Sequence, residues 1–270
     1  MIKDWILVRG GGDLATGTIY KLCKSGFSVL VTEIAHPSAI RRYVAFSEAV
    51  YEKTATVEDM SCTLVQNWEE AYSVMNEGRP ALMVDPNCEI LKEHHPSVVV
   101  DAILAKKNLG TNRSMADCTI ALGPGFCAGV DVDYVIETKR GHNLGRVITE
   151  GMAAANTGIP GVIGGYGKER VIHAPVAGEL FHRAKISDFV QKDQVIAVIH
   201  SSDGLEEVRA SISGILRGLI RDGYPVTKGF KIADIDPRES EKENCFTISD
   251  KARCIAGGVL EAILYHRNNK

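Results

Sequence analysis

The residues best equipped for chemistry stand near the start of the chain. Arg9-Gly10-Gly11-Gly12-Asp13-Leu14-Ala15-Thr16 follows directly on the apolar run Trp5-Ile6-Leu7-Val8. Gly10-x-Gly12-x-x-Ala15 fits the dinucleotide fingerprint with alanine in the third place. The first glycine permits a tight turn, the second lets the backbone approach a pyrophosphate, and the third small residue seats the helix on the strand. The helix start offers unpaired N–H groups and a positive dipole end to a phosphate. Glu33, about twenty residues on, stands where an acid would hold ribose hydroxyls. Arg9 is placed to clamp a phosphate or to form a structural ion pair, and Asp13 flanks the turn on its other side. The alternative to a ligand site is a turn whose glycines only bend the chain.

Further candidates follow other strand-like runs. Ala81 to Asp85 and Val98 to Asp101 each end in an acid, on the side of a doubly wound sheet where ligands bind. Asp101 and Lys106 are pocket candidates, while capping of the next helix is the competing role for Asp85 and Asp101. Thr119 to Leu122 leads into a second glycine turn, Gly123-Pro124-Gly125. Tyr134 to Thr138 leads into Arg140-Gly141-His142. Arg140 and His142 are placed to meet an anion, with His142 able to act as acid or base or simply to bond within its own loop. Cys127 has no base fixed beside it in the sequence and reads as an inert thiol.

These turns need elements to hold them. Ala15, Ile19 and Leu22 recur at the spacing of an amphipathic helix, and Val29 to Val31 reads as a second strand. Thr54 to Val65 alternates like a hairpin, and Trp68 to Glu77 reads as a helix. The expected fold is an α/β Rossmann-like parallel-sheet domain over residues 1–168. A small all-β barrel-sandwich module, biotinyl/lipoyl-like, is expected over 169–237, and a C-terminal helix packing on the rest over 238–270. The second assignment rests on a repeat, in which residues 174–199 align without gaps on 210–235. Ala174, Gly178, Leu180, Val190, Lys192, Ile196, Ala197 and Ile199 meet Ala210, Gly214, Leu216, Val226, Lys228, Ile232, Ala233 and Ile235. Asp203 stands where a carrier protein of that type has its modified lysine, so the module is not a swinging arm. Gly257-Gly258 inside the final helix costs about 1 kcal/mol per glycine against alanine, which predicts close backbone packing there.

Charge is nearly balanced, with 31 basic and 34 acidic residues, so neither nucleic acid nor an anionic membrane is expected as partner. No signal-peptide pattern opens the chain, and a cytoplasmic location is expected. Seven cysteines in irregular spacing read as reduced thiols, and no metal site is expected. A homo-oligomer is open.

Taken in order, the motifs resemble the YqeB-type accessory proteins of the selenium-dependent molybdenum hydroxylase system. The matching stretches are Val8-Arg9-Gly-Gly-Gly-Asp13-Leu-Ala-Thr-Gly17, Ala45-Phe-Ser-Glu-Ala-Val50, Gly123-Pro-Gly-Phe126 with Gly129-Val-Asp131, Glu137-Thr138 with Arg140-Gly-His142, Asn156-Thr157-Gly158 and Ser249-Asp-Lys-Ala252. The first part is also similar to accessory proteins that bind molybdenum cofactor for xanthine dehydrogenase-type enzymes. The resemblance implies a maturation factor with a molybdenum hydroxylase or other maturation proteins as partners. Its ligand would be a molybdopterin dinucleotide or an NAD(P)-like nucleotide, held by Arg9, Gly10, Gly11, Gly12, Asp13, Ala15, Thr16, Glu33, Asp101, Lys106, Gly123, Gly125, Arg140 and His142. The competing expectations are an NAD(P)-dependent oxidoreductase of a small substrate and a non-catalytic docking protein. Whether the protein catalyses a reaction stays open at this point.

Overall fold

The structure is a computed structural model that describes residues 4–156, 158 and 161–269. It forms two units: residues 1–37, 44–157 and 248–270 make the first, and residues 38–43 and 158–247 make the second. Thr157, in the Asn156-Thr157-Gly158 motif, lies outside the described residues.

The first unit begins β1 (Trp5–Arg9), α1 (Asp13–Lys24) and β2 (Ser28–Glu33). Ala15, Ile19 and Leu22 are all fully buried, so the helical apolar spacing is the face that packs. Next come α2 (Ala49–Glu52), the hairpin β3 (Thr54–Val57) and β4 (Met60–Val65), then α3 (Trp68–Asn76), β5 (Ala81–Val84) and β6 (Val98–Asp101). Asn67 caps α3 by accepting the Glu70 N–H at 2.9 Å. The chain continues through β7 (Cys118–Leu122), β8 (Cys127–Ala128), β9 (Tyr134–Ile136), β10 (Val147–Ile148) and β11 (Gly151–Met152).

These strands build a nine-stranded sheet in the order β10-β9-β7-β6-β1-β2-β5-β4-β3, with β8 and β11 forming a separate pair. The inner strands are parallel, but β3 and β10 run antiparallel at the two edges. This is a large mixed sheet, and the expected Rossmann-like domain is corrected accordingly. The connections after β6 and β7 contain no α-helix. Residues 102–117 and 123–133 carry no amphipathic period and include left-handed turns at Leu104, Lys106, Gly110, Gly123, Gly125 and Gly129.

The helix missing there comes from the far end of the chain. After residues 158–247, α4 (Asp250–Asn268) returns and packs on α1, β7, β9 and β10. Ser249 caps it, accepting the Ala252 N–H. Gly17 of α1 lies against Ala252, Arg253 sits over the Tyr20 ring, and Arg267 over the Phe27 ring. Residue numbers rise together along this contact, so α1 and α4 are parallel.

The second unit contains β12 (Val171–His173), β13 (Gly178–His182), β14 (Phe189–Val190) and β15 (Val195–Ser201). It continues with β16 (Gly204–Arg209), β17 (Gly214–Leu219), β18 (Tyr224–Val226) and β19 (Lys231–Asp236). They form two four-stranded sheets, β12-β19-β17-β14 and β16-β15-β13-β18, with every pairing antiparallel. The expected biotinyl/lipoyl barrel-sandwich is replaced by this pair of antiparallel sheets.

The sequence repeat is visible in the strand order. Exchanging β12–β15 for β16–β19 turns one sheet's order into the other's, so each sheet has a central pair from one repeat flanked by strands of the other. The repeated apolar residues, from Leu180 and Leu216 to Ile199 and Ile235, are buried core, whereas Lys192 and Lys228 are exposed. Gly178 and Gly214 recur because a side chain at either would strike a backbone carbonyl, that of His200 or Asp236.

Within α4 the two adjacent glycines differ. A Cβ at Gly258 would run into the Gly145 carbonyl, while Gly257 faces open space. Gly258→Ala is therefore expected to destabilise by about 1–3 kcal/mol through overpacking. Gly257→Ala is expected to be neutral or to stabilise by up to about 1 kcal/mol through helix propensity. Urea unfolding of the two variants checks the contrast.

Candidate functional site

The carboxyl ends of β1, β2, β6, β7 and β9 carry most of the candidate residues. Gly10 adopts φ +93°, and a Cβ there would press on the Ala102–Ile103 backbone. Gly11 is closed in by Ser47, whose N–H donates to the Gly11 carbonyl at 2.8 Å. Thr16 ties the same segment down: its Oγ1 accepts the Phe46 N–H at 2.9 Å and donates to the Gly12 carbonyl at 2.9 Å. The Gly10–Thr16 and Ala45–Val50 motifs thus meet directly. Ala15 serves only the core.

The acid expected on a ribose turns inward. Glu33 Oε2 accepts the Gly11 N–H and Oε1 the Ile34 N–H, each at 2.8 Å. A pyrophosphate in the fingerprint's usual position would have to displace both this carboxylate and the Ser47 backbone. Burial pushes the Glu33 carboxyl up, opposed by those two N–H groups, which favour its charged form.

Arg9 and Asp101 are also internal. Both are buried and stand 3.6 Å apart, joined through Thr111, whose Oγ1 donates to Asp101 at 2.6 Å and accepts from Arg9. Arg9 also reaches the Pro86 and Leu109 carbonyls at 3.4 Å. The ion-pair reading of Arg9 is the one this geometry supports, and the Asp101 carboxylate is likewise taken up inside. Asp85 caps the following turn, accepting from Glu89 and Ile90 at 2.9 and 3.0 Å.

Gly125 (φ +112°) packs its backbone on Lys106–Lys107, and Gly123 (φ +78°) packs against Thr138. Lys106 itself is exposed, with φ +63°. Arg140 makes a bidentate pair with Asp250 at 2.9 and 3.0 Å. His142 is exposed and has no hydrogen bond to the other candidates among the described residues. Cys127 is half-buried, its Sγ 3.8 Å from the Ala128 carbonyl.

The parallel packing of α1 and α4 adds a residue that the motifs do not single out. The first turns of both helices open on this edge, and α1 is capped by Gly12 with no side-chain bond. Lys251, in the first turn of α4, is half-buried. Burial pushes its amine down and Arg140 adds to this, while Asp13, Glu137 and Asp250 oppose it. No hydrogen bond or ion pair holds the Lys251 amine among the described residues. Glu137 is buried, and its oxygens accept the Lys139 and Ala154 N–H groups at 2.7 and 2.8 Å. A sequence signal for Lys251 existed in Ser249-Asp-Lys-Ala252: a cation in the first turn of a capped helix sits at the unfavourable end of the dipole.

No protein-family model matches the chain. It is 48% identical over 259 residues to the Escherichia coli K12 protein named "Uncharacterized protein YqeB", an alignment covering 96% of this chain and 47% of that protein. The chain spans about half the length of this relative. Among solved structures, an aspartoacylase family protein from Mesorhizobium loti matches 87% of this chain and 86% of its own, at 11% identity and TM-score 0.31. A succinylglutamate desuccinylase/aspartoacylase from Rhodobacter sphaeroides matches 87% and 85%, at 11% identity and TM-score 0.29.

The functional expectation is corrected on the geometry of the glycine turn. The expected maturation factor with a molybdopterin-dinucleotide or nucleotide cradle is not sustained, and neither is the NAD(P)-dependent oxidoreductase. The glycine turn is filled by Glu33 and Ser47. Among the described residues no helix is long and apolar enough to cross a membrane, and no group of three His, Cys, Asp or Glu side chains could hold a metal ion.

Two predictions follow from this geometry. Because the folded Glu33 carboxyl holds its proton more tightly than the unfolded chain does, it contributes stability at acid pH. That contribution is lost as pH rises through the raised value. Glu33→Gln is expected to flatten this part of the stability curve, measured by urea midpoints between about pH 4 and 7. Arg9→Met leaves the Asp101 carboxylate buried without its cation and is expected to cost about 3–5 kcal/mol. Adding Asp101→Asn should recover part of that loss in the same assay.

Proposed function

We propose that the first unit binds a small carboxylate- or phosphate-bearing molecule where the N-termini of α1 and α4 open side by side. The observation that carries this reading is the Lys251 amine, half-buried and held by no hydrogen bond or ion pair among the described residues. Two helix N-termini supply positive partial charge to the same place, and Arg140, fixed by Asp250, stands beside the lysine. Asp13 and Glu137 border the site.

The link to the selenium-dependent molybdenum hydroxylase system is not carried into this reading. Its support was the resemblance of the motifs taken in order along the chain, and the nucleotide cradle expected with it at Gly10–Gly12 is occupied by the chain itself. The 48%-identical relative is named without an activity, so it brings none with it.

Thermal unfolding in the presence of inorganic phosphate, succinate or citrate tests the proposal. A ligand at ten times its Kd stabilises by about 1.4 kcal/mol, which for a protein of this size raises the midpoint by a few degrees. At least one of these anions is expected to give that rise in the wild type, and Lys251→Met is expected to abolish it. No rise with any of the anions, or an equal rise in the variant, overturns the reading.

A further inference from the structure

Asp85 is a carboxylate taken out of water with no cation to balance it. The residue is 8% exposed, and among the described residues no Lys, Arg or His forms an ion pair with it. Aspartate is almost never buried to that degree unless it is paired. Its two oxygens accept one backbone N–H each, from Glu89 at 2.9 Å and Ile90 at 3.0 Å, which fixes the group in place. A carboxylate offers about four acceptor positions, so about half of them stay open.

The same residue lines a cavity of about 320 Å³ in the first unit, at the carboxyl ends of the parallel strands β4 and β5, where Val65 stands beside Met83. Val65, Met83 and Ile90 supply apolar wall, and Glu89 adds a second carboxylate to the lining. Among the described residues Glu89 has one ion pair, with Lys92, and both side chains of that pair are exposed. A surface pair of this kind holds its partners weakly. Ligand cavities run from about 300 to 1,000 Å³ and set a few fixed polar groups against apolar wall. This one lies at the small end of that range, and both ionised side chains that line it are acids.

We propose that this cavity binds a small primary ammonium ion with a short alkyl or aryl tail. The ammonium donates to the open positions of Asp85 and supplies the charge that the buried carboxylate lacks. The tail covers Val65, Met83 and Ile90. An anion meets two carboxylates here, and a neutral molecule leaves Asp85 unbalanced. The two backbone N–H groups, one on each oxygen, already use the two-point approach that a guanidinium favours, whereas a compact ammonium needs a single open position. The site shares no residue with the Lys251 edge and does not depend on the reading given there.

Titration calorimetry of the intact protein at neutral pH and fixed ionic strength tests this. The probes are phenethylammonium chloride, 2-phenylethanol (the same skeleton without the charge) and ammonium chloride (the charge without the tail). Phenethylammonium is expected to bind at least about tenfold more tightly than the alcohol, because a desolvated charge pair is worth that much or more, and ammonium chloride is expected to give no binding heat. Val84 also lines the cavity and is 41% exposed, so Val84→Arg adds bulk and positive charge without entering the core. That variant is expected to abolish amine binding while still unfolding cooperatively on heating. Asp85→Asn, which keeps the size and removes the charge, is expected to weaken the amine by about tenfold or more and to leave the alcohol unchanged. Absence of amine binding, equal affinity for amine and alcohol, or amine binding that survives Val84→Arg overturns the proposal.

Discussion

The contact between α1 and α4 governs the rest of the first unit. Gly17 lies so close to Ala252 that a side chain at Gly17 would force a shift. Helices packed in parallel align their dipoles, and mutual repulsion of like ends is the cost of that arrangement. Here the cost falls at the edge of the sheet where the strands also end. Both positive ends, a fixed guanidinium and a part-buried amine are gathered there. Gly258 repeats the device further along α4, letting the helix settle onto the loop at Gly145.

The glycine turn after β1 shows how a familiar spacing can serve a different purpose. Each small residue is needed, but the needs are internal. Gly10 clears the Ala102–Ile103 backbone, Gly11 receives the Ser47 segment, and Ala15 joins the core. Glu33 stands where the fingerprint places its acid, yet its oxygens are taken by backbone N–H groups of its own unit. Arg9, Thr111 and Asp101 form a buried network below the turn. Such a network stabilises mainly by leaving no charge unpaired, which explains why those polar residues stand at strand ends without facing a ligand.

The second unit obeys a simpler rule. Two copies of one strand pattern share a core, and each sheet borrows its outer strands from the other copy. The residues identical between the copies are chiefly those whose side chains are wholly buried, or glycines where a side chain would meet a carbonyl. Among the exposed positions, Lys192 and Lys228 are identical in both copies.

The sequence alone determined the elements held by local periodicity: β1–α1–β2, the Thr54–Val65 hairpin, α3, the capped final helix and the duplicated β unit. Their signals lie within a few residues, in apolar spacing, caps and glycines. It also foretold that Gly257-Gly258 marks a close approach, though only Gly258 makes one. Tertiary structure decided what the sequence left open or pointed to wrongly. The sheet gained antiparallel edges, the helix covering β7 and β9 came from residue 250 onward, and the expected cradle was filled by Glu33 and Ser47. Lys251 came to lie beside Asp13, far away in the chain. Each of these depends on which distant segments share a surface, and a spacing rule that reads along the chain holds no term for that.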